Sequence, residues 1–298
     1  MPTDKITAAA AGTWSLGDRT ANRMGFGSMR LTADPDPARA VRVLRRALDL
    51  GVNHIDTAAF YVSPGGTLGV GTGSPRYATD LIRRALAPYP DELVIATKVG
   101  FAVDPAGGVV EADTPAELRA QVEENLRRLG RDHLDVVNLR IVKRRGRDSV
   151  AERFGALAEL RDAGLIRHLG LSNVRADHLD EAGAVAPVVC VQNTYALDNN
   201  RGDDELLRIC GERGVAYVPF FAIAGARREA GAGTDHDEAV RAVAAAHAVT
   251  PHQVRLAWTL HRGRHVLAIP GTGDPDHLEQ NVAAGAIRLT AEELARLG

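Results

Sequence analysis

Short runs rich in Val, Ile and Leu recur along the chain, each followed by a longer stretch in which apolar residues return every three or four positions. Continuous apolar runs suit strands buried on both faces, and helical periodicity suits a covering layer, so the alternation predicts parallel strands wrapped by helices. Eight runs qualify: residues 24–28, 52–57, 93–98, 134–140, 167–172, 188–193, 216–221 and 266–270. The predicted fold is therefore α/β, a (β/α)8 TIM barrel. Several helices carry their own start signals. Thr114-Pro115-Ala116-Glu117, Thr250-Pro251-His252-Gln253 and Thr290-Ala291-Glu292-Glu293 each place a hydroxyl at the N-cap and Glu or Gln three residues later, which satisfies the first free backbone donors. The helix opened by Thr114 aligns Leu118, Val122, Leu126 and Leu129 on one face and stops at Gly130, a good left-handed terminator. Ahead of the first barrel strand, residues 13–23 hold Trp14 and a Leu16-Gly17-Asp18 turn, which predicts a short N-terminal hairpin closing the lower end of the barrel.

A length of 298 residues allows two average domains, but it also matches one such barrel, and no linker or low-complexity tract divides it. One domain over residues 1–298 is expected. The formal net charge of −2 gives no basic footprint for nucleic acid and no polybasic membrane signal. Cys190 and Cys210 are too few and too far apart for a disulfide framework, so both read as buried thiols in a reducing compartment. The alanine-rich start carries Asp4 and Lys5 and lacks the apolar core of a signal peptide, and no segment supplies the roughly 18 apolar residues of a membrane span. A cytoplasmic protein is expected.

Metal chemistry is not expected, because the ten His include no H-E-x-x-H and His261 and His265 straddle Gly263. No Ser sits in a G-x-S-x-G elbow. The glycine-rich stretch 62–73 alternates Gly69, Gly71 and Gly73 but has no strand directly ahead and no Walker pattern, so it reads as a substrate flap or an irregular surface excursion. In a parallel barrel, reactive groups come from the C-terminal ends of the strands. Polar residues do appear where the apolar runs stop: Asp56, Lys98, Arg140, Ser172 with Asn173, Gln192 with Asn193, and Gly271-Thr272 after the eighth.

The segments Arg23-Met24-Gly25-Phe26-Gly27-Ser28-Met29, Asn53-His54-Ile55-Asp56-Thr57-Ala58 with Tyr61, Ala96-Thr97-Lys98, Gly164 through Asn173, Val191-Gln192-Asn193, and Ile269-Pro270-Gly271-Thr272 followed by Leu278-Glu279-Gln280-Asn281 together resemble the aldo-keto reductases. The resemblance covers nearly the whole chain. It implies an oxidoreductase that moves a hydride between NADP(H), with NAD not excluded, and a small aldehyde, ketone or alcohol. In that family an Asp, a Tyr, a Lys and a His form the catalytic group, and the first three map onto Asp56, Tyr61 and Lys98. A phenol with a pKa of about 10 donates a proton poorly at neutral pH, and a nearby ammonium favours its phenolate. Lys98 is thus expected to lower the Tyr61 pKa, and Asp56 to balance the buried ammonium. The plainer alternative is an ordinary ion pair with Tyr61 as a loop aromatic.

The resemblance also implies cofactor contacts. Ser172, Asn173 and Gln192 would meet the nicotinamide amide, with Asp56 close by and Phe220 stacking on the ring. Gly27, Ser28 and Met29 would lie near the ribose, and Phe221, Thr272, Gln280 and Asn281 near the phosphates or adenine. Relatives that prefer NADPH place basic residues where this chain has Gly271 and His277, and Asp274 between them is expected to oppose a 2′-phosphate.

One position departs from the pattern. Leu134-Asp135-Val136-Val137-Asn138-Leu139 matches the strand that delivers the family's catalytic His, and Arg140 stands in its place. A guanidinium does not titrate near neutrality, so Arg140 is expected to point into the site, orient substrate, grip a carboxylate or polarise a carbonyl without passing a proton. Two fixed cations near one phenol would lower its pKa further and deplete the acid. A second reading follows: a cofactor-binding homologue with altered or lost reductase activity, acting as a sensor, partner subunit or redox-neutral enzyme. The run Lys143-Arg144-Arg145-Gly146-Arg147 has two readings, a basic stretch that attracts an anionic substrate after the fourth strand and, the favoured one, a solvated loop.

Overall fold

The computed structural model describes residues 6–66, 70–103, 108–142, 149–198, 201–223 and 237–298, with residues 102 and 103 as backbone only. The basic run 143–147 and residues 67–69 of the glycine-rich stretch lie outside the described residues. In chain order the strands are β1 (Thr13–Leu16), β2 (Arg19–Asn22), β3 (Phe26–Gly27), β4 (His54–Asp56), β5 (Val62–Ser63), β6 (Arg76–Tyr77), β7 (Val94–Val99), β8 (Phe101–Val103), β9 (Val109–Glu111), β10 (Leu134–Arg140), β11 (Ile166–Ser172), β12 (Val188–Gln192) and β13 (Ala216–Tyr217). The helices are α1 (Pro37–Asp49), α2 (Ala78–Leu86), α3 (Pro115–Leu129), α4 (Ala151–Asp162), α5 (Ala176–Val185), α6 (Asp204–Glu212), α7 (Glu238–His247), α8 (Pro251–His261), α9 (Pro275–Ala283) and α10 (Ala291–Leu297).

Seven strands pair in the order β13-β12-β11-β10-β7-β4-β3, all parallel. Residues 266–268 close the ring, since Val266 bridges Tyr217 on one edge and Ala268 bridges Met24 on the other. The closure is hydrogen-bonded: Leu267 N donates to Tyr217 O at 2.9 Å, and Ala268 N to Arg23 O at 2.8 Å. The (β/α)8 barrel is complete, but its eighth strand consists of bridges only. The predicted runs 24–28, 216–221 and 266–270 are longer than the observed pairing because this seam is set by backbone packing that hydrophobicity does not encode. Gly27 and Gly271 face each other there: a Cβ on Gly27 would come within 2.6 Å of the Ile269 carbonyl, and one on Gly271 within 2.5 Å of the Gly27 carbonyl.

The barrel interior and its outside are filled differently. Leu16 and Ala21 of the N-terminal hairpin pack with Val94, Ala96, Val136, Cys190, Ala216 and Leu267 in one inner cluster, so the hairpin closes the barrel as its sequence predicted. Its turn is made by Gly17, at φ 66°. The other strand faces meet the helices. The α3 capping box forms at Thr114 and Glu117, the helix ends on left-handed Gly130, and Leu118, Val122 and Leu129 are buried. Thr250 and Thr290 make the other two expected boxes. Asn125, on the buried side of α3, accepts a hydrogen bond from Thr97 Oγ1 at 2.6 Å. That bond holds Thr97 outward, and strand alternation then turns its neighbour Lys98 inward. Both cysteines are free and buried. Among the described residues, no helix is long and apolar enough to cross a membrane.

The glycine seam generates a direct expectation. Gly27→Ala should destabilise the protein by about 2 kcal/mol or more, because two backbone segments must separate. Gly273→Ala, with open space around its Cβ position, should leave the urea midpoint unchanged. Equal midpoints for both variants would contradict close packing at the seam.

Candidate active site

The upper rim of the barrel gathers the polar strand ends. β4 and β7 pair with Asp56 opposite Ala96, so Lys98 stands one pleat above Ala96 on the same inward face. Lys98 Nζ donates to Asp56 Oδ1 at 2.6 Å and to the Thr57 carbonyl at 3.0 Å. The two side chains are 2% and 4% exposed. Gln192 Nε2, from the end of β12, donates to the same carboxylate oxygen at 2.7 Å. Tyr61 sits on the loop after β4, which is held by Tyr61 N to Ala58 O at 3.0 Å and by Ala78 N to Tyr61 O at 2.9 Å. The Lys98 ammonium lies 4.7 Å from the Tyr61 ring centroid.

Burial pushes the Tyr61 phenol above its ordinary range; Lys98 and Arg140 pull the other way without overcoming it. This corrects the expectation of a lowered Tyr61 pKa: desolvation of the phenolate outweighs both cations. Burial also disfavours the Lys98 charge, but the neighbouring Asp56 carboxylate works against it, and the ammonium is held above its usual value. His54, beside Asp56 on β4, is buried with Nδ1 unpaired, and burial lowers it to about 4. It is neutral at physiological pH and adds no third cation.

Arg140 ends β10 opposite Ser172. Its Nη1 donates to Ser172 Oγ at 3.0 Å, and its guanidinium carbon lies 4.8 Å from the Phe220 ring centroid. It turns into the barrel mouth, as its sequence position implied. Among the described residues, no carboxylate lies within ion-pair distance of it. Burial lowers its pKa, with Tyr61 and Asp56 opposing.

A cleft of about 640 Å³ opens above these groups, lined by Gly27, Met29, Asp56, Tyr61, Phe220, Phe221 and Gly271 from the sequence-predicted set. Two buried polar atoms of that set have no hydrogen-bond partner, Gln192 Oε1 and Ser28 Oγ. Other expected residues are engaged differently. Ser172 Oγ already accepts from Arg140. Asn173, at φ 62°, spends its amide nitrogen on the Ile141 carbonyl at 2.8 Å. Asn193 ties the rim to α5 (Ala176–Val185) and α6 (Asp204–Glu212) through Val174 and Asp203. His277 and Gln280 are exposed on α9 and Asn281 is buried, and none of the three lines the cleft.

A second hollow adjoins the first, lined by Arg30, Asp34, Arg39, Thr272, Gly273 and Asp274. Arg30 borders both. Asp274 accepts the N–H groups of Asp276 at 2.9 Å and His277 at 3.1 Å, and its other oxygen pairs with Arg39 at 3.1 Å. The His277 N–H bond holds its carboxyl below the usual range. Arg39 and the α9 N-terminus thus stand beside the Asp274 charge that the sequence expects to oppose a 2′-phosphate. Arg30 could have been found as the basic residue beside Met29. Arg39 reaches Asp274 across 235 positions, and no local pattern marks it.

The aldo/keto reductase family profile matches residues 23–298. The chain is 40% identical over 299 residues to a pyridoxine 4-dehydrogenase of Escherichia coli, covering 97% of this chain and 98% of that protein. It is 36% identical over 300 residues to an uncharacterized oxidoreductase of Schizosaccharomyces pombe, covering 98% and 90%. Among solved structures, an aldo-keto reductase from Klebsiella pneumoniae in complex with NADPH superposes with a TM-score of 0.75 at 28% identity, over 93% of this chain and 90% of that one.

The raised phenol is directly measurable. The tyrosinate difference spectrum between the wild type and Tyr61→Phe should stay flat until the pH exceeds the ordinary phenol value of about 10, and Lys98→Met should move its onset higher still. A Tyr61 ionisation near neutrality would contradict the balance of burial and charge.

Proposed function

The chain belongs to the aldo/keto reductase family, and we propose that it transfers a hydride between NADP(H) and a small aldehyde, ketone or alcohol, with Tyr61 as the proton donor or acceptor. The observation that carries this reading is the Lys98 ammonium, held between the Asp56 carboxylate and the Tyr61 phenol beneath an open cleft. The residues present fit the cofactor. Gln192 Oε1 is a buried acceptor without a partner, suited to an amide N–H. Ser172 accepts from Arg140 and keeps its own hydroxyl proton to donate. Bare backbone at Gly27 and Gly271 would admit close approach of the ribose and phosphates, with Arg30 as a cation beside them. When bound, NADP(H) supplies or accepts the hydride.

The protein's own part is proton transfer and electrostatics. Tyr61, kept protonated by burial, gives its proton to the carbonyl oxygen. The phenolate that remains is stabilised by Lys98, an interaction that strengthens only as charge develops. Asp56 keeps Lys98 charged, so the ammonium is a fixed field and the phenol is the acid. Arg140 adds a second donor at the mouth for orienting substrate and polarising the carbonyl. The name of the Escherichia coli relative supports a hydroxymethyl or formyl carbon on a small flat ring as the reacting group. Two free buried thiols support action in the cytoplasm.

Tyr61→Phe should lower turnover on an aldehyde panel by about 10²-fold or more, with cofactor affinity nearly unchanged, because only the proton donor is removed. Wild-type turnover in that variant would remove Tyr61 from the reaction. In titrations with both nicotinamides, NADPH should bind about tenfold tighter than NADH, a difference near 1.4 kcal/mol. A strong NADH preference would overturn the cofactor assignment.

A further inference from the structure

The charges at the barrel mouth do not cancel. Lys98 is matched by Asp56, but Arg140 is a part-buried guanidinium with no carboxylate in ion-pair distance among the described residues. Asp56 Oδ1 is already shared by Lys98 and Gln192. Tyr61 is held protonated by its burial and supplies no negative charge. A group with a pKa this high cannot shed its charge to relieve the mismatch, as an imidazole would at the same position. An unmatched part-buried cation is destabilising until an anion joins it.

The guanidinium is also oriented. Ser172 Oγ takes one of its five N–H donors, and the Phe220 ring lies 4.8 Å from its carbon, leaving the other donors for a ligand. Arg140 stands one pleat above Asn138, the β10 partner of Lys98, so its fork lies beside the place where a carbonyl oxygen would meet Tyr61. Aromatic rings flank the spot on one side: Phe220 lies against the Arg140 guanidinium and contacts Phe221, and both line the cleft.

We propose that Arg140 is a specificity-determining residue that selects aryl carbonyl substrates carrying an anionic oxygen on the ring carbon next to the reacting group, as in the phenolate of a 2-hydroxyaryl aldehyde. The proposal rests on the reductase reading for its chemistry. Tyr61 serves the carbonyl oxygen while the Arg140 fork holds the neighbouring phenolate, which supplies the counter-charge that the protein itself withholds. A 2-oxo acid carboxylate offers the same pair of oxygens, but the flat aromatic rings favour the ring phenolate.

Two measurements test it independently. In the first, 2-hydroxybenzaldehyde is added at neutral pH to protein saturated with NADP⁺, which cannot reduce it, and the phenolate absorbance band is followed. The band should grow on binding to the wild type, weaken in Arg140→Lys, and be lost in Arg140→Met. In the second, kcat/KM with NADPH is compared for 2-hydroxybenzaldehyde, 4-hydroxybenzaldehyde, benzaldehyde and benzoylformate. The 2-hydroxy isomer should lead by about tenfold or more, the scale set by a buried polar group left without its partner. Arg140→Met should lose at least about ten times more on that isomer than on benzaldehyde. A band that survives in Arg140→Met, an equal loss on every aldehyde, or benzoylformate as the leading substrate would each overturn the proposal. A band that depends on Arg140, with no NADPH oxidation by any aldehyde, would refute the reductase reading and leave the anion site standing.

Discussion

The buried contact between Lys98 and Asp56, at 2.6 Å, is the constraint on which the site depends. An ammonium and a carboxylate cannot both be dehydrated inside a barrel unless each finds the other and their remaining bonding capacity is filled. Here the Thr57 carbonyl takes a second Lys98 proton and Gln192 gives a second hydrogen bond to Asp56. Those partners come from β4, the residue after it, β7 and β12, so the full set of bonds needs β4 and β7 in register and β12 brought across the barrel from them. The glycine contact between Gly27 and Gly271 lies on the same rim, where it both completes the ring and leaves backbone bare.

Burial decides the chemistry of the phenol. The two nearby cations pull the Tyr61 pKa down, yet desolvation outweighs them and favours the protonated phenol. The cations then act where they matter, on the charge that appears as the proton leaves. Arg140 behaves differently from Lys98 because, among the described residues, no carboxylate lies within ion-pair distance of it. One cation is neutralised within the protein, and the other is held over an aromatic ring facing the cleft.

Much of this was legible in the sequence, and the limits have physical causes. The apolar runs marked every strand of the ring, and the capping boxes at Thr114, Thr250 and Thr290 marked helix starts to the residue. Strand length at the seam was not legible, since Gly27 and Gly271 pack through backbone atoms that leave no side-chain periodicity. Asp56, Lys98 and Gln192 were legible as polar residues ending apolar runs. The direction of the Tyr61 shift was not, because charge can be read from residue types while desolvation depends on how deeply the loop after β4 is covered. The tie between Arg39 and Asp274 was hidden for the same reason: it joins α1 to the start of α9 across most of the chain.

The central claim is that Lys98 and Asp56 are tolerated inside the barrel only as a pair. The most direct measurement is a double-mutant cycle of Asp56→Asn and Lys98→Met, read as unfolding free energy in urea. Each single variant should lose about 3–5 kcal/mol, because an unmatched polar or charged group stays buried, and the double variant should recover most of that loss. Losses that simply add, with the double variant the least stable of the three, would contradict the account.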